Sequence, residues 1–254
     1  MNARTQTQFS VRLAETQAER EAAQNLRYRV FVEELGGAGV MVDHVAQLET
    51  DRFDPYFDHM LLIDNNRSEV VGVYRLMRRD QARAAGQFYS EDEYDLSVLL
   101  TSGRSILELG RSCVDSNYRG GIAMFHLWNG LAQYVAEHDI EVLFGVASFH
   151  GTNVTKFSHA LSLLHHRHLA PKDLRVRARG DAFQNMNIMD ESQFDARAAM
   201  VSVPALIKAY LRLGGFVGEG AYIDHAFNTV DVCLVLDTAR MNDRLVKFYQ
   251  SASA

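Results

Sequence analysis

The sequence predicts an α/β fold with a mixed central sheet flanked by helices. Three observations carry this. "HMLLID" (59–64) and "EVVGVYRLM" (69–77) are strand-like runs joined by the polar "NNRS", the pattern of a hairpin. "EVLFGVASF" (141–149) is a continuous apolar run, which suits a strand covered on both faces. Segments with apolar residues at helical spacing lie between these strands, and that order places helices on both faces of one sheet.

The elements follow in order. "FSVRLA" (9–14) alternates and reads as a short strand. Thr16 precedes Glu19 by three residues, a capping box. A helix follows to about Glu33, with Ala23, Leu26, Val30 and either Phe31 or Leu35 turned inward; Gly36 and Gly37 end it. Residues 38–57 are acidic and irregular. After the hairpin, residues 80–103 read as a surface excursion of helix and loop. "SILELGRSCV" (105–114) is the next strand. Met124, Leu127, Trp128, Leu131 and Val135 make 122–138 a helix. "NVTKFSHALSLLHHRH" (153–168) predicts another, capped by Thr152 or Asn153. Residues 170–200 look irregular. "PALIKAYLRLG" (204–214) has proline suited to a helix start and Gly214 and Gly215 to its end. "VDVCLVLD" (230–237) is a late strand, and 239–249 a final helical turn. No repeat or linker divides the chain, so one domain over 1–254 is expected, with a short flexible N-terminus of about residues 1–8.

Bulk properties narrow the function. The 254 residues are 47% hydrophobic, enough for a sizeable core. A net charge of −6 argues against a nucleic-acid partner. Cys113 and Cys233 sit in apolar runs and read as buried thiols, with no zinc spacing. The N-terminus lacks a secretion signal, and no apolar run approaches the ~18 residues of a membrane span. A cytoplasmic protein is expected, with peripheral contact at the inner face of the membrane left open.

"LELGRSCVDSNYRGG" (107–121) carries the chemistry. Regular alternation would point Glu108 and Arg111 to opposite faces. A bulge at Gly110 would bring them to one face and splay the strand from its neighbour. Arg119, Gly120 and Gly121 then precede a helix, whose free N–H groups attract phosphate.

A bulged strand followed by a Gly-rich turn and a helix resembles the core of the GCN5-related N-acyltransferase fold. "LRYRVFVEELGG", with Arg27 and Phe31, resembles the R-x-x-x-F motif of acyl-homoserine-lactone synthases. Asp51 and Asp54 in "DRFD", Arg75 in "VVGVYRLM", and Glu108 and Arg111 in "ELGR" match that family's charged set. The tryptophan those synthases carry after their first helix is replaced by glycines near Gly36 and Gly37. "FYSEDEYDLS", "LELGRSCV", "YRGG", "LFGVASF", "LHHRHLAP" and "FNTVDV" are more similar to the ornithine N-acyltransferases, over roughly residues 10–249. That resemblance implies an N-acyltransferase fold with a C-terminal extension. It also implies transfer of a 3-hydroxyacyl chain from acyl carrier protein to the α-amine of ornithine, giving lyso-ornithine lipid. No cofactor or metal is implied beyond the donor's phosphopantetheine arm.

The residue types fit such a reaction. Glu108 is a candidate base for the acceptor ammonium, or a scaffold paired with Arg111. Arg27, Arg75 and Arg111 are candidates for a carboxylate fork, or for ties between the first helix, the acidic loop and the sheet. Asp51 and Asp54 would meet the side-chain ammonium of ornithine or close an arginine network. Arg119, Gly120 and Gly121 suit the donor phosphate. Phe149, Leu163 and Met124 are core residues or the lining of an acyl channel. His165, His166 and His168 diverge along a helix, which argues against a metal. Arg167, Lys172, Arg175, Arg177 and Arg179 form a basic strip suited to acyl carrier protein, to anionic lipid or simply to solvent. An acyl-homoserine-lactone synthase, another N-acyl amino acid synthase, a short-chain acetyltransferase and a non-catalytic acyl-carrier or membrane-binding module are the rival readings.

Overall fold

Strand β1 (Phe9–Leu13) turns into helix α1 (Gln17–Arg27) as the capping box dictates: Thr16 Oγ1 accepts from the Glu19 amide, and the Glu19 carboxylate accepts from the Thr16 amide. The structure is a computed structural model that describes residues 8–120, 122–180 and 182–241. The helix continues past Arg27 as a π-helical segment, Tyr28–Glu34, before Gly36, at φ +74°, ends it. The reach to about Glu33 is as the spacing predicts, but the last turns are wider than an α-helix. Such π segments gather at functional sites. Ala23, Leu26 and Val30 are buried, and with Leu61, Val73 and Cys113 they form one core cluster. Phe31 and Leu35 pack against it partly buried.

The chain falls into two compact units. The first holds the described residues up to Met77 and Leu109–His138. Its hairpin forms where "NNRS" places it, between β2 (Asp58–Asp64) and β3 (Glu69–Arg78), and β1 pairs antiparallel with β2. The C-terminal part of β4 (Ile106–Val114) lies beside β3. Helix α2 (Ala123–Glu137) buries Leu127, Trp128 and Leu131 as predicted. Met124 and Val135 are only half-buried; Tyr134 is buried in their stead and its hydroxyl donates to Asp58, 2.6 Å away. Close approach of α2 depends on Gly130, where a Cβ would lie 2.4 Å from a Val11 methyl.

The second unit holds Arg78–Glu108 and the described residues from Asp139. Here β4 contributes Ile106–Glu108, which pair in parallel with β5 (Val142–His150). The early part of β5 is buried on both faces, as its apolar run requires. Residues 80–103 are not the surface excursion their polarity suggests. They form a helix over Arg79–Ala85, a 3-10 turn over Tyr89–Asp92 and a short helix over Ser97–Leu100. Phe88, Tyr94, Leu96 and Leu99 are buried, with Phe88 edge-on to Phe144 at 5.2 Å. Helix α3 (Ser158–His168) follows a turn capped by Asn153, one of the two expected caps, whose side chain accepts from the Thr155 amide. Within 170–200, short strands at Arg177–Ala178 and Phe183–Gln184 and a helix over Ala196–Ser202 add structure that the composition hides. Helix α4 (Ala205–Arg212) starts after Pro204, and Gly214 follows it at φ +98°. Strand β6 (Ala221–Asp224) is a short hairpin partner for β7 (Thr229–Asp237) that the sequence reading missed, and β7 pairs along its length with β5. The expected terminal helix over 239–249 lies mostly outside the described residues, as do residues 1–7 of the N-terminus.

Candidate active site

In the first unit, α1 and the β2–β3 hairpin bring the expected charged residues together and add two more. Arg27, at the end of α1, is 0% exposed. It donates to both Asp54 oxygens at 2.8 and 2.6 Å, and its Nε lies 2.6 Å from Glu49. Arg75, also 0% exposed, reaches Asp54 at 2.6 Å and Asp51 at 2.7 Å, with its guanidinium over the Phe57 ring. Arg111 pairs with Glu49 at 3.0 Å and with Asp51 at 3.5 Å. Three guanidiniums thus meet three carboxylates. Burial would raise the Asp54 pKa, but hydrogen bonds and charge from Arg27, with Arg75, hold it far below the usual carboxylate range. Glu49 and Asp51 are held below their ordinary values in the same way, against burial, by Arg111, Arg27 and Arg75.

Glu49 and His59 are the members that sequence reasoning missed. Glu49 stood among many acids of an irregular loop, and nothing local marks it. His59 stands directly opposite Arg75 in the hairpin register, and its Nε2–H donates to the Asp54 carbonyl at 3.0 Å. The pairing that "NNRS" implies would put His59 opposite Tyr74; a register shift between Leu62 and Ile63 moves it to Arg75, so the loop alone did not reveal it.

Next to Gly110, where the bulge is expected, β4 carries a backbone irregularity. Arg111, not Gly110, adopts a left-handed backbone, at φ +49°. The conformation is uncommon for a residue with a Cβ. Gly110 lies against Arg75: a Cβ there would come within 3.9 Å of the guanidinium. The parallel register between β4 and β5 runs from Ile106 opposite Val142 to Glu108 opposite Phe144.

Glu108, in the second unit, is 1% exposed. Its Oε2 accepts from the Tyr89 amide at 2.8 Å; its Oε1 accepts from the Ser90 amide at 2.6 Å and from the Ser90 hydroxyl. These three donors belong to the turn Tyr89–Asp92, so the carboxylate seats that turn on the strand.

At the start of α2, Gly120 adopts φ +74° with open space where a Cβ would be, and Gly121 lies outside the described residues. Ile122, at the cap position of the helix, gives no side-chain hydrogen bond to its first amides. Arg119 forms a fork with Glu34 and donates from Nε to the Val114 carbonyl at 2.9 Å. Its contact with Glu34 is exposed, as expected of a pair that an anion could replace.

The basic strip is largely neutralised. Arg167 pairs with Glu191, Arg177 with Glu219, and Arg179 lies 4.0 Å from Asp95. Arg175 is half-buried and donates to the Ala170 carbonyl, which makes it a structural group; Lys172 is exposed. His166 bonds to the Met189 carbonyl at 2.9 Å, tying a loop, and its ring stands edge-on to His165 with centroids 5.3 Å apart. Phe149 and Leu163 are buried. Both cysteines are free and buried, and burial pushes the Cys113 thiol up to about 12, far from a nucleophile's range.

The family model described as "Acetyltransferase (GNAT) domain" matches residues 26–129. The chain is 55% identical over 246 residues to the L-ornithine N(alpha)-acyltransferase of Rhodobacter capsulatus, covering 95% of this chain and 94% of that protein. It is 43% identical over 248 residues to the protein of the same name from Brucella abortus, covering 95% and 88%. Among solved structures, a CoA-dependent acyl-homoserine lactone synthase, MesI, shares the fold, with a TM-score of 0.52 at 13% identity over 95% of both chains.

Proposed function

Because the chain belongs to the L-ornithine N(alpha)-acyltransferase family, we propose that it moves a 3-hydroxyacyl chain from acyl carrier protein to the α-amine of L-ornithine, giving lyso-ornithine lipid. The observation that carries this reading is 55% identity over 95% of the chain.

In this reading the acceptor loses its ammonium proton, and the free amine attacks the thioester carbonyl. The carbon–nitrogen bond forms, the carbon–sulfur bond breaks, and the thiol leaves on the pantetheine arm. Glu108 is assigned to receive the ammonium proton, and its anchored carboxylate also fixes the turn at Tyr89–Asp92. Backbone N–H groups of β5 beyond Phe144 are assigned to the carbonyl oxygen as charge develops on it. Arg111 and Asp51, with side chains 12% and 17% exposed, are the most open members of the arginine network. Arg27, Arg75 and Asp54 hold them in place. The start of α2, with Gly120, Gly121 and Arg119 drawn from Glu34, is assigned to the donor phosphate.

The donor protein and the membrane complete the proposal. Lys172, with Arg177 and Arg179 exchanging their acidic partners, is the surface assigned to acyl carrier protein. Val40, Met41, Val45 and Ile122 are large exposed apolar groups available for peripheral membrane contact. Among the described residues no helix is long and apolar enough to cross a membrane.

The test is turnover of purified protein with L-ornithine and 3-hydroxyacyl donors, followed by mass spectrometry. The expected product is ornithine acylated on its α-nitrogen, formed from the carrier-protein donor and slowed by salt. A lactone, or no transfer to ornithine, overturns the acceptor assignment. Equal turnover with the acyl-CoA donor overturns the carrier-protein assignment.

A further inference from the structure

The acceptor has a second amine, and the arginine network leaves no obvious place for it. Asp51 and Asp54 contact Arg27, Arg75 and Arg111, so they close that network. A different group of acids lies in the second unit. Asp224 on β6 stands opposite Thr229 on β7, and Tyr222 stands opposite Asp231. Directly paired residues share a face, and so do residues two apart on one strand. Tyr222, Asp224, Thr229 and Asp231 therefore project from one side of the β6–β7 hairpin. Glu93 reaches the same place from the end of the turn that Glu108 anchors. One carboxylate oxygen each from Glu93, Asp224 and Asp231 lies within 4.8 Å of the others, and Glu93 and Asp231 are buried.

A second feature marks this as a binding place rather than a chance cluster. The Thr229 hydroxyl is buried and has no hydrogen-bond partner among the described residues, in a residue only 9% exposed. Its strand position directs it to the face that carries the three carboxylates. A buried hydroxyl without a partner is costly, and a ligand that donates to it relieves that cost. The surroundings are negative: burial, then Glu93, Asp224, Asp92 and Asp231, all raise the pKa of the Tyr222 phenol.

We propose that Glu93, Asp224, Asp231 and Thr229 bind the side-chain ammonium of the amino-acid acceptor and so select ornithine over amino acids of equal length without that amine. The inference rests on the acceptor reading given above and deepens it. An alkylammonium offers three N–H donors and a single charge, and it meets acceptors only. Three carboxylates and a hydroxyl suit it. The position also fits. Cys233 lies two residues beyond Asp231 on the same face, and its thiol, raised chiefly by burial, is raised further by both Glu108 and Glu93. Glu108 and the acid group thus act on one stretch of β7, and the acceptor's two amines are joined through the α-carbon and three methylenes.

The test compares L-ornithine with L-norvaline, which has the same carbon chain and no side-chain amine. Asp224→Asn, Asp231→Asn and Thr229→Val are each measured against wild type by calorimetric binding and by acyl transfer. Loss of a charged hydrogen bond should weaken ornithine binding by about 10–100-fold. Norvaline should be unchanged, so that discrimination between the two collapses. Asp224 is half-exposed, so Asp224→Asn should fold even if Asp231→Asn does not. Unchanged discrimination in folded Asp224→Asn and Thr229→Val overturns the proposal. So does a wild-type melting temperature raised by calcium or magnesium without ornithine and unmoved in Asp224→Asn, because the group would then be an inorganic cation site. Absence of any acyl-ornithine product would instead sink the functional reading, and ornithine binding by calorimetry would still judge this one.

Discussion

Replacing His59 with glutamine should flatten the acid side of the stability profile. His59 is 2% exposed, with Arg27, Arg75 and Asp54 around it. Burial, then the positive charge of Arg27, lowers its pKa from 6.5 to about 4, and Asp54 offsets this only in part. The unfolded chain therefore takes up a proton near pH 6.5, while the folded chain stays neutral until about pH 4. Below pH 6.5 the unfolded state binds more protons, so stability falls as pH falls. A tenfold difference in proton affinity is worth about 1.4 kcal/mol, so the whole difference amounts to roughly 3 kcal/mol, of which about 2 kcal/mol is lost between pH 8 and pH 5. Glutamine can keep the donation to the Asp54 carbonyl and does not titrate. The assay is urea unfolding of both proteins at pH 8 and pH 5. Any fixed cost of the substitution appears at both pH values and drops out of the difference. His126, His165 and His168, also lowered chiefly by burial, are common to both proteins and cancel. Wild type should lose about 2 kcal/mol more than the variant over this interval. Equal losses would mean that His59 is protonated in the folded protein and that the account of its surroundings is wrong.

Asp54→Asn should cost about 3–5 kcal/mol in chemical denaturation, because Arg27 and Arg75 are fully buried and would lose their shared counter-charge; a loss under about 1 kcal/mol would mean the network relaxes into water. The same substitution should flatten the profile below about pH 4, since a lowered carboxylate pKa gives stability that is present above the unfolded value and lost as pH falls through the folded one. Gly130→Ala would gain about 1 kcal/mol in an open helix, but here the new methyl meets Val11 at 2.4 Å and Met60 at 3.2 Å. Overpacking of about 1–3 kcal/mol should win and lower the melting temperature, with Val11→Ala restoring part of the loss in the double variant. Glu108→Gln should slow turnover by roughly 10²–10⁴-fold, with the deficit shrinking at high pH if Glu108 takes the proton. The amide would also turn a donor toward the Ser90 and Tyr89 donors, at a cost of about 1–3 kcal/mol in thermal melts. A pH–rate profile parallel to wild type would leave Glu108 as an anchor alone.

What the sequence determined by itself rests on short-range rules. Thr16 and Glu19 start α1 through contacts within one turn, "NNRS" closes the β2–β3 hairpin, and Pro204 with Gly214 bounds α4. Arg27, Asp51, Asp54, Arg75 and Arg111 were legible as a charged set because their types and motifs stand out without knowing their partners. The tertiary structure decided which of them touch. Glu49 is an ordinary loop acid until the chain returns it to Arg27 and Arg111, 22 and 62 residues away. Phe88 and Tyr94 look like residues of a surface excursion until Phe144 and the Gly220 and Asp231 carbonyls cover them. The left-handed turn at Arg111 also escaped the reading, because glycine is the residue that adopts it at least cost and Gly110 stood next to it. Asp224 joins Asp231 only through the register of a four-residue strand too short to announce itself. Local rules select backbone shape from neighbours in sequence, whereas charge pairing and burial depend on distances between residues far apart in the chain, and only the packed fold sets those.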